Sequence, residues 1–403
     1  MKYFFLILNL SFLIPLSYSQ DLKYAHKIID TLCSPSMHGR GYVKDGDKIA
    51  ANYLAEQFKS FKLESFRLNG SEADYYQNFS LDVNTFPGKM EVSVGDKELI
   101  AGKDFIVDAG SIGTSKEYAI GPSKKNSAVY AFINYNDAKT VPGCKTCLTV
   151  LIEKNKLTGD IATNTKQNPT IHILLNSFDS LAREINVKIE NKFIRDYSTQ
   201  NIIGFFKGSI YPDSFIVFSA HYDHLGQMGS QVYFPGANDN ASGCAMLLNL
   251  AKYYSEHPPK YSIAFIAFGA EEAGLVGSKY YVEHPLFPLK QIKFLVNLDL
   301  LGTGDEGITV VNGSVFKNEF DILTKINEEK KYLSQIKIRG KAANSDHYFF
   351  TEAGVKSFFI YTLGGIKAYH DIYDRPETLP LTKFEDVFKL LVDFTEALST
   401  KHE

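Results

Sequence analysis

Five short stretches of this sequence set imidazole and carboxylate groups side by side or just past an apolar run: HYDH at 221–224, NDN at 238–240, EE at 271–272, Asp299, and YH at 369–370. Most have an ordinary structural role when taken singly. His221 suits a hydrogen-bonded structural histidine, Asp239 suits an N-cap for a helix beginning near Ala241, and Glu271-Glu272 suits a solvated turn. Asp299 is harder to place that way, because it follows the apolar run IKFLVNL and a buried unpaired carboxylate is costly. Glu271 and Glu272 raise the same difficulty, since two like charges stand where the buried run SIAFIAF ends. Mixed imidazole and carboxylate donors suit zinc or a similar first-row ion, whereas all-oxygen sets suit calcium or magnesium. Two histidines with three carboxylates are what two adjacent tetrahedral ions need when one carboxylate bridges them. Hydrolysis at such a centre also requires a base and a group that stabilises an oxyanion. One glutamate of the pair would ligate and its neighbour would move protons, but spacing alone leaves the two interchangeable.

The elements that must position these groups are legible as apolar runs. FIVFSA precedes His221, SIAFIAF precedes the glutamate pair, IKFLVNL precedes Asp299 and KSFFIYT precedes the loop that holds His370. Helical patterns at about Ala241–Ser255, Val276–Val282, Val315–Lys331, SDHYFFTEA and Leu381–Leu398 separate or follow them. Apolar strands alternating with helices predict an α/β fold: a mixed, mostly parallel central sheet with helices on both faces and its ligand site at the carboxyl ends of the strands. An amphipathic helix is expected early, within Asp45–Leu63. From about Tyr75 to Lys207 short strand-like runs separated by Gly, Pro, Asn and Lys predict a β-rich inserted region.

With 403 residues, 44% of them hydrophobic, the chain can bury a large core. Its 43 basic and 46 acidic residues give a formal net charge of -3, which argues against nucleic-acid partners and anionic membrane surfaces. An early lysine, an apolar run Phe4–Leu16 and small residues at Ser17 and Ser19 have the layout of a cleavable signal peptide over 1–19. That run falls short of the roughly 20 residues of a membrane span, so the expectation is export to a periplasm or the exterior. Four cysteines do not make a disulfide scaffold; Cys144 and Cys147 suit a short-loop disulfide or two incidental thiols.

The ordered motifs HYDHLG, GANDNASG, FGAEEAG, NLDLLG, SDHYFF and YHDIYDRPET resemble the zinc-dependent exopeptidases of metallopeptidase family 28. That family includes secreted bacterial aminopeptidases, glutamate carboxypeptidases and glutaminyl cyclases. The likeness runs from about Ile202 to Leu398 and touches the early HGRGYVKDGDKIAANYLAEQF stretch. It implies a zinc peptidase with two zinc ions and peptide substrates: His221 and Asp299 on one ion, Glu272 and His370 on the other, and Asp239 bridging. Glu271 would be the general base and then acid, and the Tyr369 phenol would stabilise the oxyanion. Asp223 would orient His221, while His347 would line the site without binding zinc. His224 would be structural, Asp346 and Asp374 would hydrogen-bond behind the ligands, and Asp239-Asn240 would be a cis peptide. The implied domains are an N-terminal part of the peptidase domain at 20–85, a β-rich region at 86–200 like a protease-associated insertion, and the catalytic domain at 201–403.

The leading expectation is thus a secreted aminopeptidase. A glutaminyl cyclase is disfavoured because the chain has no tryptophan and the glutamate turn is compact. A glutamate-releasing carboxypeptidase would need cations near the motifs, where Arg375 is the nearest.

Overall fold

The structure, a computed structural model, describes residues 22–120, 130–134, 147–230 and 232–400. The expected signal peptide and Cys144 lie outside these residues. Cys147 is disulfide-bonded, whereas Cys33 and Cys244 are free thiols.

Four strands form the middle of the first sheet, all parallel and adjacent in the order Ser357–Thr362, Ile292–Leu298, Tyr211–His221, Tyr261–Phe268. Their sequences are nearly continuous apolar runs because both faces are covered. Alternate side chains of Tyr261–Phe268 show the division: Ile263, Phe265 and Ala267 pack on one face, while Ala264, Ile266 and Phe268 pack on the other. The first face carries helices Leu22–Leu32, Gly46–Ser60, Gly243–Glu256, Lys317–Lys330 and Phe384–Thr400; the second carries Val276–Glu283 and His347–Glu352. On one flank Ile308–Val311 runs antiparallel and Ile336–Ile338 pairs with it. On the other, Lys192–Phe206 and then Tyr76–Thr85 join antiparallel. The architecture is therefore the expected mixed α/β sheet with helices on both faces.

Four helices start later than their apolar periodicity indicates, at Gly243, Lys317, His347 and Phe384, and for the first and last of these the backbone shows why. Ala237–Ser242 coils as a wider turn, with Asp239 and Asn240 off helical geometry, so the regular helix begins at Gly243. Leu381 has φ 48° and donates its amide to the Gly302 carbonyl at 2.8 Å, which holds it outside the helix that begins at Phe384.

Among the described residues, the β-rich region folds as a second sheet of eight strands with its own core, which includes Val92, Phe105, Tyr118, Val150, Ile171 and Val187. Its strands run from Met90 to Ile189. The strand Lys192–Phe206 starts inside the stretch read as inserted but belongs to the first sheet, where it pairs with Tyr76–Thr85 from Lys192↔Thr85 to Ile202↔Tyr76. The second sheet is thus suspended from an antiparallel ribbon at the edge of the first. Asp47, on helix Gly46–Ser60, ties that ribbon down by accepting hydrogen bonds from the Tyr197 hydroxyl at 2.6 Å and the Thr199 hydroxyl at 2.8 Å. A second tie is apolar: Ile106 and Leu157 pack with Leu225, Met228 and Phe234.

Within the second sheet His172 stands between two carboxylates, with Nδ1 2.7 Å from Glu153 and Nε2 3.4 Å from Asp108. Burial alone would raise the Asp108 carboxyl, but hydrogen bonds from His172 and Lys166 outweigh it and hold the group at about 2. A carboxyl depressed in the folded state stabilises above its ordinary value and loses that contribution as pH falls through the folded one. Asp108 should therefore contribute roughly 2 kcal/mol at neutral pH, lost between about pH 4 and pH 2. Urea unfolding of wild type and Asp108→Asn should differ by that amount at pH 6 and converge near pH 2.

Candidate metal centre

The parallel strands end level with one another: His221 pairs with Phe268, and Leu298 with Ile360. The residues just past the strand ends therefore converge. His221 closes its own strand, Asp299 follows Leu298, and Glu271 and Glu272 lie in the turn after Phe268, which also closes with amide bonds from Gly274 and Leu275 to the Glu271 carbonyl. Asp239 enters from the turn before helix Gly243–Glu256, and His370 from the loop after Ser357–Thr362. Among the described residues, the groups of three histidine and carboxylate residues whose donor atoms all lie within 4.8 Å of one another are His221 with Asp239 and Asp299, His221 with Glu271 and Glu272, and His224 with Asp239 and Glu272. All fall at this edge.

The two oxygens of Asp239 face opposite ways. Oδ1 is 3.3 Å from His221 Nε2, which is itself 3.4 Å from Asp299 Oδ1. Oδ2 is 3.1 Å from His370 Nε2, which is 3.0 Å from Glu272 Oε2. A tetrahedral ion with bonds of about 2.0–2.1 Å separates its donors by roughly 3.3 Å, so these ion-pair spacings also have room for an ion between the donors. Asp299 Oδ1 is buried without a hydrogen-bond partner, although its Oδ2 accepts from Ser345 at 3.0 Å. That serine also accepts from Asn297 Nδ2, and Asn297 Oδ1 accepts from Ser219. A polar chain thus aims one oxygen of Asp299 and leaves the other free for a cation.

Each imidazole is oriented through its other nitrogen, as ligating histidines require. His221 Nδ1 donates to the Asp223 carbonyl at 3.2 Å, and His370 Nδ1 to the Gly159 carbonyl at 3.2 Å. The carboxylate of Asp223, which the sequence suggested would orient His221, is 3.9 Å from that ring. It accepts instead from the amides of Glu271 at 3.0 Å and Glu272 at 3.3 Å, so it fixes the glutamate turn.

The electrostatics favour positive charge here. Burial would lower the imidazoles of His221 and His370, yet the facing carboxylates raise both, His370 to about 11. The glutamates separate. Burial raises Glu271 well above its ordinary value, and Asp346, Glu272 and Asp299 add to the effect against His221. For Glu272, burial and Asp239 act upward, but hydrogen bonds with His224 and His370 hold it at about 2.

Tyr369 stacks on the His370 ring with centroids 4.0 Å apart, and both line a cavity of about 210 Å³ with His221, Glu271, Arg339 and Tyr361. His347 does not line it. Its ring is buried 5.4 Å from Phe359, which does, and burial lowers it to about 4. Arg375 stays outside, with Nε donating to the Ile372 carbonyl; the cation in the cavity is Arg339. His224, expected to be purely structural, reaches Glu272 Oε1 at 2.7 Å.

Two supports lie behind the Asp239 turn, whose Asp239–Asn240 peptide is cis as expected. Asp374 accepts from the amides of Asn238 at 2.8 Å and Asp239 at 3.0 Å. Arg40 is fully buried and donates to the carbonyls of Leu32, Tyr222, Pro235, Gly236 and Asp239. Sequence reasoning gave Arg40 no role; its only signal is its place in the HGRGY stretch. Gly243 allows the turn to approach the sheet, since a Cβ there would lie 2.4 Å from the Leu298 carbonyl oxygen.

A model described as peptidase family M28 matches residues 201–395. Aminopeptidase YwaD of Bacillus subtilis is 32% identical over 223 residues, covering 52% of this chain and 46% of that protein. A probable zinc metalloprotease of Pyrenophora tritici-repentis is 34% identical over 112 residues, 27% of this chain and 26% of the relative. The matches thus span about half or less of these curated relatives. A zinc aminopeptidase structure from Bacillus subtilis superposes with TM-score 0.71 at 22% identity, covering 95% of this chain and 97% of that one, so the overall fold is similar.

Replacing Arg40 by lysine keeps the charge but offers three donors where five carbonyls wait. Arg40→Lys should lose about 3 kcal/mol of stability, read as a lower urea midpoint.

Proposed function

We propose that this chain, whose residues 201–395 match the peptidase family M28 model, is an exported metallo-aminopeptidase that removes N-terminal residues from peptides. The observation that carries the reading is the split of Asp239 between two donor sets, His221 with Asp299 and His370 with Glu272. These five residues would hold two zinc ions, Asp239 bridging. The unpartnered Asp299 Oδ1, the donor spacings and the mixed imidazole and carboxylate chemistry fit such ions. When bound, they supply Lewis acidity toward a peptide carbonyl and acidify water.

The chain's own groups do the rest. Glu271, which stands outside the two sets that Asp239 joins and whose carboxyl is raised, takes a proton from the attacking water at its side-chain oxygen and returns it to the leaving amine. Burial and the carboxylates of Asp239, Glu272, Asp299 and Glu271 keep the Tyr369 hydroxyl protonated, so it can donate to the oxyanion. A cavity of about 210 Å³ is below the roughly 300–1,000 Å³ of sites for drug-sized ligands, which supports action at a chain end. Export rests on the N-terminal lysine and apolar run.

A carboxypeptidase reading has one observation in its favour, Arg339 in the cavity. Aminoacyl chromogenic amides, with and without N-acetylation, separate the two. The wild type should release product from unblocked amides only. Glu271→Gln should lower kcat by about 10²–10⁴-fold while retaining its zinc. Equal cleavage of blocked amides, or undiminished cleavage in a strong chelator, would contradict the proposal.

A further inference from the structure

The residues after the second-sheet strand Leu148–Glu153 cross to the metal centre and meet the loop that carries His370. Two hydrogen bonds join Gly159 and His370 in opposite directions: the Gly159 amide donates to the His370 carbonyl at 2.7 Å, and His370 Nδ1 donates to the Gly159 carbonyl at 3.2 Å. Three residues earlier, Lys156 Nζ donates to the Tyr369 carbonyl at 2.8 Å. It also faces Asp371 Oδ2 at 3.5 Å and lies 5.8 Å from the Tyr369 ring centroid. These contacts meet a backbone that needs holding, since His370 has φ 53°, in the left-handed region that non-glycine residues rarely occupy. The crossing segment is itself anchored. Leu157 is buried with Leu225, Met228 and Phe234, and a Cβ on Gly159 would lie 2.9 Å from Leu225 and 3.1 Å from Phe234.

We propose that this segment of the second sheet is a working part of the catalytic centre, with Lys156 and Gly159 as positioning residues for Tyr369 and His370. The inference rests on the metallopeptidase reading and extends it, because the second sheet then completes the site as well as standing beside it. Gly159 fixes which nitrogen of His370 carries its proton, leaving Nε2 to face Asp239 and Glu272. Lys156 holds the peptide from which the phenol hangs. An imidazole ligand whose outer hydrogen bond is lost typically binds its ion about 10–100-fold more weakly, and the phenol would lose its placement at the same time.

Gly159→Ala would collide with Leu225, so Lys156 carries the test. The full chain is compared as wild type, Lys156→Ala and Lys156→Arg by three measurements: zinc affinity in competition with a chromogenic chelator, kcat and KM on an unblocked aminoacyl amide, and thermal unfolding of the metal-stripped protein. Lys156→Ala should unfold with the wild type when stripped, release one zinc equivalent more readily because the peptide before His370 is less firmly held, and lose kcat with KM little changed. Lys156→Arg, which can still reach the carbonyl, should recover most of both. Wild-type zinc affinity and kcat in Lys156→Ala would overturn the proposal, as would losses matched by a fall in stripped-protein stability. A wild type that itself binds no zinc or cleaves no amide would overturn the metallopeptidase reading and this inference with it.

Discussion

Four carboxylates, Asp239, Glu271, Glu272 and Asp299, crowd one edge of one sheet, Asp239 and Asp299 buried and the two glutamates partly so. In a low-dielectric setting like charges at such distances repel strongly, and much of the surrounding structure answers that constraint. The parallel strands end level, so the chain cannot avoid bringing the groups together. Two imidazoles stand among them on opposite sides of Asp239, the buried guanidinium of Arg40 lies behind the Asp239 turn, and His224 accompanies Glu272. The result is a pocket whose field favours cations, with one oxygen of Asp299 left without a hydrogen-bond partner.

The fold that creates this constraint was largely legible in the sequence. A strand covered on both faces reads as an apolar run, and in a parallel arrangement the residue just past the run stands at the carboxyl edge. His221, Glu271, Glu272 and Asp299 are found by that logic alone, and His370 by its place after KSFFIYT. The division of labour between Glu271 and Glu272 was not legible from spacing. It came from the resemblance, and the physical difference between them lies in partners that spacing does not show: His224 and His370 for Glu272, burial among carboxylates for Glu271.

Other features left no local trace. Arg40 sits in a loop-like sequence, where an arginine ordinarily reads as solvated, and its burial is decided by carbonyls far along the chain. Asp223 was expected to serve His221 because the resemblance implies it, yet its carboxylate is taken by two amides of the glutamate turn. The end of the β-rich region was blurred because Lys192–Gln200 has strand character whichever sheet it joins; the pairing with Tyr76–Thr85 decides it. The helix starts at Gly243 and Phe384 were displaced by backbone conformations that apolar periodicity cannot register.

On the proposed function, Asp239 divides two cation sites. Crystals of the full chain grown with zinc, measured on both sides of the zinc absorption edge, test it directly. Two anomalous peaks are expected, one enclosed by His221, Asp239 and Asp299 and the other by Asp239, Glu272 and His370. Zinc bound elsewhere, or a single ion with one oxygen of Asp239 turned away, would contradict it.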